Sequence, residues 1–371
     1  MLINEISEEL NEVVIVMKWF YKIKSYESYL KDIFNVSRCV NATLLDNKVI
    51  FVTGATGLIG SCVAEILLSV SKKNKLNTKI LLGARRVESL ATRFSFWKDA
   101  YYPISYNALN KNLPEENFDI VFHCASNAHP LVYSKYPVET SMINVQGTNN
   151  ILEKMTRDKC GRMVYVSSSE VYGRRESKVR YKEDDCFPID VLDPRSCYPI
   201  SKRLAENLCA CYAAEYGVES VIVRPGHIYG PTQTDSDTRA HAQFIRAAAM
   251  GLPVTMKSKG AQFRSYCYVV DCASAMIYVA LYGKCGEAYN IANPESDCTI
   301  AELATTVAKV AGVKLIQEEA SSDEKKGYAR MDNSALSSKK LMDLGWKGSF
   351  TLERGVRRTI ELLRGNDCYE S

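Results

Sequence analysis

The sequence predicts an α/β protein organised as a doubly wound parallel sheet with a smaller, interleaved C-terminal lobe and an N-terminal helical extension. Three observations carry that expectation. Residues 49–53 form an apolar, β-branched run that enters a turn with Gly54, Gly57 and Gly60, and residues 61–68 then place apolar side chains at helical spacing. Further apolar runs at 79–84, 118–126, 162–169 and 221–225 alternate with helical stretches, the pattern of parallel strands joined by crossover helices. Two of them end in small or hydroxyl-bearing residues, at Ala125-Ser126 and Ser167-Ser168-Ser169, and ligands of such sheets bind outside the carboxyl ends of the strands.

The chain of 371 residues is long enough for a sizeable core and two lobes. A net charge of +4 without a dense basic block argues against nucleic-acid and membrane partners. Thirteen cysteines are scattered through apparent strands and helices, without a Cys-x-x-Cys pair or a secretory leader. They are expected to be reduced core thiols of a cytoplasmic protein.

Residues 1–47 form the extension, with Ile6, Leu10, Val13, Val14 and Met17 on one helical stripe and Trp19, Phe20, Tyr21 and Ile23 extending the apolar surface. Packing on its own domain or on a second subunit is preferred to a membrane surface. The glycine turn follows. A turn of this kind lets the helix N-terminus approach a diphosphate, which its free N–H groups and dipole can bind. The second strand, 79–84, runs straight into Arg85-Arg86 where a dinucleotide fold would carry an acid for the ribose hydroxyls, and arginine there favours a 2′-phosphate. Domain limits are expected at 48–225 for the dinucleotide-binding part and 226–371 for a lobe that mainly binds substrate. His123 and His129 lack a matching cluster of acids or thiols, and no metal is expected.

Tyr198 and Lys202 stand four apart at the start of a helix running through Leu204, Ala205, Leu208, Tyr212 and Tyr216. They share a face, so the ammonium is expected to lower the phenol pKa and make a base for a sugar hydroxyl. Ser168 would add a hydrogen bond.

Taken together, the run Thr53-Gly54-Ala55-Thr56-Gly57-Leu58-Ile59-Gly60, the run Ser167-Ser168-Ser169-Glu170-Val171-Tyr172-Gly173, Tyr198 with Lys202, Tyr229-Gly230-Pro231, Arg264-Ser265-Tyr266 and Leu344-Gly345-Trp346 resemble the extended short-chain dehydrogenase/reductase superfamily. The likeness is to its nucleotide-sugar epimerases, dehydratases and decarboxylases, which carry a Rossmann-type domain. The resemblance implies NAD or NADP held by Gly54, Thr56, Gly57, Leu58, Ile59, Gly60, Arg85, Ala125, Tyr198, Lys202 and Pro225. It implies catalysis by Ser168, Glu170, Tyr198 and Lys202, and a sugar-nucleotide substrate met by Ser168, His227 and Arg264. His227 replaces the asparagine of the family pattern. A homodimer through the helix carrying Asn144 and the helix starting near Tyr198 is also implied.

Family members begin or end at hydride transfer with a sugar carbon, commonly C4. The dehydratases follow their catalytic threonine with Asp-Glu, whereas this chain has Ser168-Ser169-Glu170, which is closer to the Thr-Ser-Glu of the UDP-glucuronate decarboxylases. Pro194-Arg195-Ser196-Cys197-Tyr198 is also similar to the decarboxylase pattern. A redox-neutral decarboxylase or epimerase is therefore expected, with an NADPH-dependent reductase of a 4-keto-6-deoxy sugar nucleotide as the alternative that Arg85 favours.

Overall fold

A computed structural model describes residues 23, 25–159, 161–175, 179–234, 237–319 and 332–365. The apolar stripe from Ile6 to Met17, with Trp19, Phe20 and Tyr21, lies outside the described residues. Within them, helix α1 (Tyr26–Ser37) precedes β1 (Val49–Thr53), α2 (Leu58–Asn74), β2 (Lys79–Ala84), the short α3 (Glu88–Arg93) and β3 (Tyr102–Ser105). The chain then returns through β4 (Ile120–His123), α4 (Pro130–Lys135), α5 (Pro137–Asp158), β5 (Arg162–Val166), α6 (Cys197–Tyr216) and β6 (Glu219–Pro225).

These strands and a later one, β10 (Ala288–Ile291), form a seven-stranded sheet in the order β10-β6-β5-β4-β1-β2-β3, and all its neighbours are parallel. Strand order reverses between β1 and β4, which opens a crevice at their carboxyl ends. Burial on both faces explains the continuous apolar runs. Along β1, Ile50 and Val52 join a core shared with Val63, Ile66 and Leu67 of α2, while Phe51 points into a second core with Ile151, Leu152 and Met155 of α5. The period of two sets which side each residue serves.

After β6 the chain builds β7 (His227–Tyr229), α7 (Ala240–Ala249), β8 (Val254–Met256), β9 (Phe263–Tyr268) and α8 (Val269–Tyr282), and then β10. β11 (Asp297–Thr299), α9 (Ile300–Ala311), β12 (Leu315–Gln317), β13 (Asn333–Ser334), α10 (Lys339–Asp343) and α11 (Leu352–Arg364) complete it. β7, β9, β11 and β13 make a small second sheet. α8 packs on α2 and β10 rejoins the main sheet, so the stretch after residue 225 contributes to both layers.

Helix α1 is fastened to this frame by charge. The buried carboxylate of Glu65 on α2 accepts hydrogen bonds from the Tyr26 hydroxyl, from the Tyr29 hydroxyl at 2.9 Å, and from Arg93 Nη1 and Nη2 at 2.9 and 2.8 Å. Asp32 on α1 accepts from Arg358 Nε on α11 at 2.8 Å. The part of the extension that is described thus packs on its own chain. Arg93→Ala would strand a buried carboxylate and is expected to destabilise the protein by about 3–5 kcal/mol, read as a lower denaturation midpoint in urea.

Eleven described cysteines are free thiols; Cys39, Cys186 and Cys211 among them are exposed, so the expectation of core thiols holds for only part of the set. No helix among the described residues is long and apolar enough to cross a membrane.

Candidate active site

Gly54 closes the turn after β1. Its φ is +62°, and a Cβ there would stand 2.9 Å from the backbone of Ala125. At Gly60 a Cβ would meet the Gly54 carbonyl oxygen at 2.4 Å. The turn is therefore folded tightly on itself and against the end of β4, and only glycine fits. The Ala55 N–H donates to the Gly83 carbonyl at 3.1 Å, which fixes the turn to the end of β2. Gly57 caps α2 without a side chain, so the N–H groups of Leu58, Ile59 and Gly60 face outward from the helix end without intrahelical acceptors. Thr53 orders the neighbouring strand end: its Oγ1 accepts from the Ala125 N–H at 3.1 Å and lies 2.9 Å from His123 Nδ1. Burial, and then Lys202, push the His123 pKa down to about 3, so this imidazole is neutral.

Arg85 is exposed immediately after β2, one strand over from the glycine turn. Pro225 ends β6. A dinucleotide laid across the crevice fits these elements: a helix N-terminus for its diphosphate, Arg85 near the adenosine end, and small Ala125 beneath it.

On the other side of the crevice, Ser168 leaves β5 in extended conformation, and its hydroxyl accepts from the Glu170 N–H at 3.2 Å. Helix α6 brings Tyr198 near enough for the same hydroxyl to oppose the rise in the tyrosine's pKa. Asn144 of α5 sets the helix in place, because its Oδ1 accepts from Ser126 Oγ at 2.7 Å and its Nδ2 donates to Ser201 Oγ at 2.9 Å. The segment after β4, α5 and α6 are thereby held together around Tyr198 and Lys202.

The electrostatics differ from the expectation for Tyr198 and Lys202. Lys202 Nζ donates to the Val166 carbonyl at 2.6 Å and lies 5.9 Å from the centre of the Tyr198 ring. Burial pushes the lysine down to about 7 and the tyrosine up to about 12; Glu170 adds to the rise, whereas Ser168, Arg239 and Arg195 oppose it. The phenol pKa is thus raised by burial and not lowered, because desolvation dominates the site.

Glu170 is held beside the pair. Arg195 Nη1 and Nη2 donate to its two oxygens at 2.7 and 3.2 Å, a bidentate clamp. Tyr133 of α4 completes the group with its ring stacked on Tyr198. Sequence reasoning quoted Arg195 only as part of a pattern and missed Tyr133, which sits on a six-residue helix without a periodic signal. It also missed Asp237 and Arg239, whose guanidinium donates from Nε and Nη2 to the carboxylate at 2.9 and 2.6 Å.

His227 and Arg264 lie on the second sheet, in paired strands β7 and β9. His227 Nε2 is 3.1 Å from Ser334 Oγ, and burial, then Arg264, hold the imidazole neutral far below its usual range. Ser168 and Glu170 thus follow the end of β5 and Tyr198 and Lys202 stand on α6, while His227 and Arg264 belong to the smaller sheet.

A family model described as the NAD dependent epimerase/dehydratase family matches residues 50–292. The chain belongs to the NAD dependent epimerase/dehydratase family. UDP-glucuronic acid decarboxylase 6 of Arabidopsis thaliana is 30% identical over 84% of this chain and 87% of its own length. UDP-glucuronic acid decarboxylase 1 of Danio rerio is 29% identical over 85% of this chain and 72% of its own. Among solved structures, the UDP-glucose 4-epimerase of Thermus thermophilus in complex with NAD superposes with a TM-score of 0.71 and 26% identity, covering 85% of this chain and 99% of that one. The epimerase/dehydratase match begins at Ile50, so α1 stands ahead of the shared region, while Glu65 and Arg93, which fasten it, lie within that region. Within that region lie the glycine turn, Ser168, Glu170, Tyr198, Lys202, His227 and Arg264.

Proposed function

We propose that the protein is a redox-neutral sugar-nucleotide enzyme that oxidises C4 of the sugar, decarboxylates UDP-glucuronate and restores C4 by reduction, with NAD in the crevice. The observation that carries the choice is Glu170, clamped by both Arg195 nitrogens next to Tyr198 and Ser168. The likeness to UDP-glucuronic acid decarboxylases supports it.

A nicotinamide bound in the crevice would supply the hydride acceptor for C4 and the donor for its return. Tyr198 takes the O4 proton, and Ser168 donates a hydrogen bond to the same oxygen. Lys202, oriented by its hydrogen bond to the Val166 carbonyl, stands on the same helix as Tyr198, where it would meet the nicotinamide ribose. Once C4 is a ketone, the C5–C6 bond breaks, its electron pair moves into an enolate at C4, and carbon dioxide leaves. Ser168 and Tyr198 stabilise the enolate oxygen, and C5 takes up a proton before C4 is reduced. Glu170, clamped by Arg195, is assigned to the carbon dioxide step, where its charge would oppose a second carboxylate and favour its loss. His227, Arg239 and Arg264 line the lobe opposite, where guanidinium groups suit a substrate diphosphate.

The test is incubation with UDP-glucuronate and catalytic NAD. Carbon dioxide and a UDP-pentose should form over many turnovers without net NADH. Stoichiometric consumption of NADPH with a 4-keto-6-deoxy sugar nucleotide would instead support the reductase, which Arg85 favours because Arg85-Arg86, and not an acid, directly follows β2. If Arg85 meets a 2′-phosphate, Arg85→Ala is expected to weaken NADP by about tenfold or more while leaving NAD within twofold, measured by calorimetry. Equal losses would remove that role.

The protein is also proposed to be a homodimer through α5 and α6, which pack side by side. Val138 and Met142 on α5 and Leu204 on α6 are 76, 45 and 45% exposed, apolar side chains that an interface on these helices would cover. Leu204→Asp is expected to convert a dimer into a monomer in light scattering, with the fold retained.

A further inference from the structure

We propose that Tyr133 is a positioning residue that couples the base Tyr198 to the carboxylate Glu170; this rests on the functional reading above. Its side chain is buried, and its ring lies on that of Tyr198, with centroids 5.1 Å apart and planes 15° apart. Its hydroxyl accepts from Arg195 Nη2 at 2.9 Å and donates to Glu170 Oε1 at 3.4 Å. The same guanidinium stands 4.9 Å from the ring centre and clamps both Glu170 oxygens. Cys197 Sγ is 3.6 Å from the Tyr133 carbonyl, which ties α4 to the residue beside the base.

One side chain therefore carries two separable contacts into the site. The ring limits where the Tyr198 phenol can swing. The hydroxyl, with Arg195, limits the rotation of the Glu170 carboxylate. A buried tyrosine needs one partner for its hydroxyl; here the hydroxyl joins two groups that both face the reaction. Misplacement of a reacting group by about 1 Å can cost on the order of 10²-fold in rate, so a loosened Glu170 is expected to slow the step it serves and spare the earlier oxidation.

The experiment compares the full-length holoenzyme with Tyr133→Phe, Glu170→Gln and the double variant. Cofactor reduction is followed in single turnover, carbon dioxide release in steady state, and UDP-glucuronate affinity by calorimetry. Tyr133→Phe keeps the stack and removes the hydroxyl. Reduction and substrate affinity should stay within twofold of wild type, while release of carbon dioxide falls about tenfold. Added to Glu170→Gln, it should cause no further loss, because it acts through that carboxylate. Full activity of Tyr133→Phe, an equal fall in reduction, or losses that multiply in the double variant would each overturn the proposal. Full activity of Glu170→Gln would overturn the role given to Glu170 itself, a distinct outcome visible in that variant alone.

Discussion

Tyr198→Phe is expected to lower turnover by about 10²–10⁴-fold, the usual contribution of a positioned general base, while dinucleotide affinity stays near wild type. The substitution preserves the ring stacked on Tyr133 and removes only the hydroxyl that interacts with Ser168. Because burial pushes this phenol up to about 12, the unliganded protein holds it protonated at neutral pH. kcat/KM should therefore rise from neutral to alkaline pH as the base loses its proton, and Tyr198→Phe should lack that limb. The measurement is a pH profile with single-turnover cofactor reduction. Turnover of Tyr198→Phe equal to wild type would remove the tyrosine from the role of base.

The second large effect belongs to Glu170. Glu170→Gln keeps the shape and deletes the charge that Arg195 holds at 2.7 and 3.2 Å. Cofactor reduction by UDP-glucuronate should persist, whereas release of carbon dioxide should fall by about 10²-fold, so that reduced cofactor accumulates in the first turnover. A 4-keto reductase would hardly notice the change. Carbon dioxide release at the wild-type rate would show that the clamp with Arg195 is an ordinary ion pair at a strand end.

Much of the fold was legible because parallel strands buried on both faces leave apolar runs in the sequence. β2 occupies the expected residues Lys79–Ala84, and the glycine turn, the Ser168 strand end and the Tyr198 helix stand where their patterns placed them. Strand β3 was not legible: Tyr102–Ser105 is short and mostly exposed at the sheet edge, without an apolar signal. Return of β10 to the main sheet is a tertiary fact that local pattern does not encode. At the site, residue types at fixed spacing were readable, and the surroundings that tune them were not. The helical spacing of Tyr198 and Lys202 promised a lowered phenol pKa. The Val166 carbonyl takes the ammonium's hydrogen bond, and burial moves both groups the other way. Tyr133 comes from one short helix and Asp237 and Arg239 from one irregular segment before α7, so nothing in their own neighbourhoods marked them.

The most direct test places deuterium on C4 of UDP-glucuronate and weighs the products. Oxidation and return at one carbon within one site predict a UDP-pentose that keeps the deuterium, with no label in released cofactor and no net change in its oxidation state. Deuterium found in free reduced cofactor, or a product that has exchanged its C4 label, would contradict the redox-neutral cycle built around Ser168, Tyr198 and Lys202.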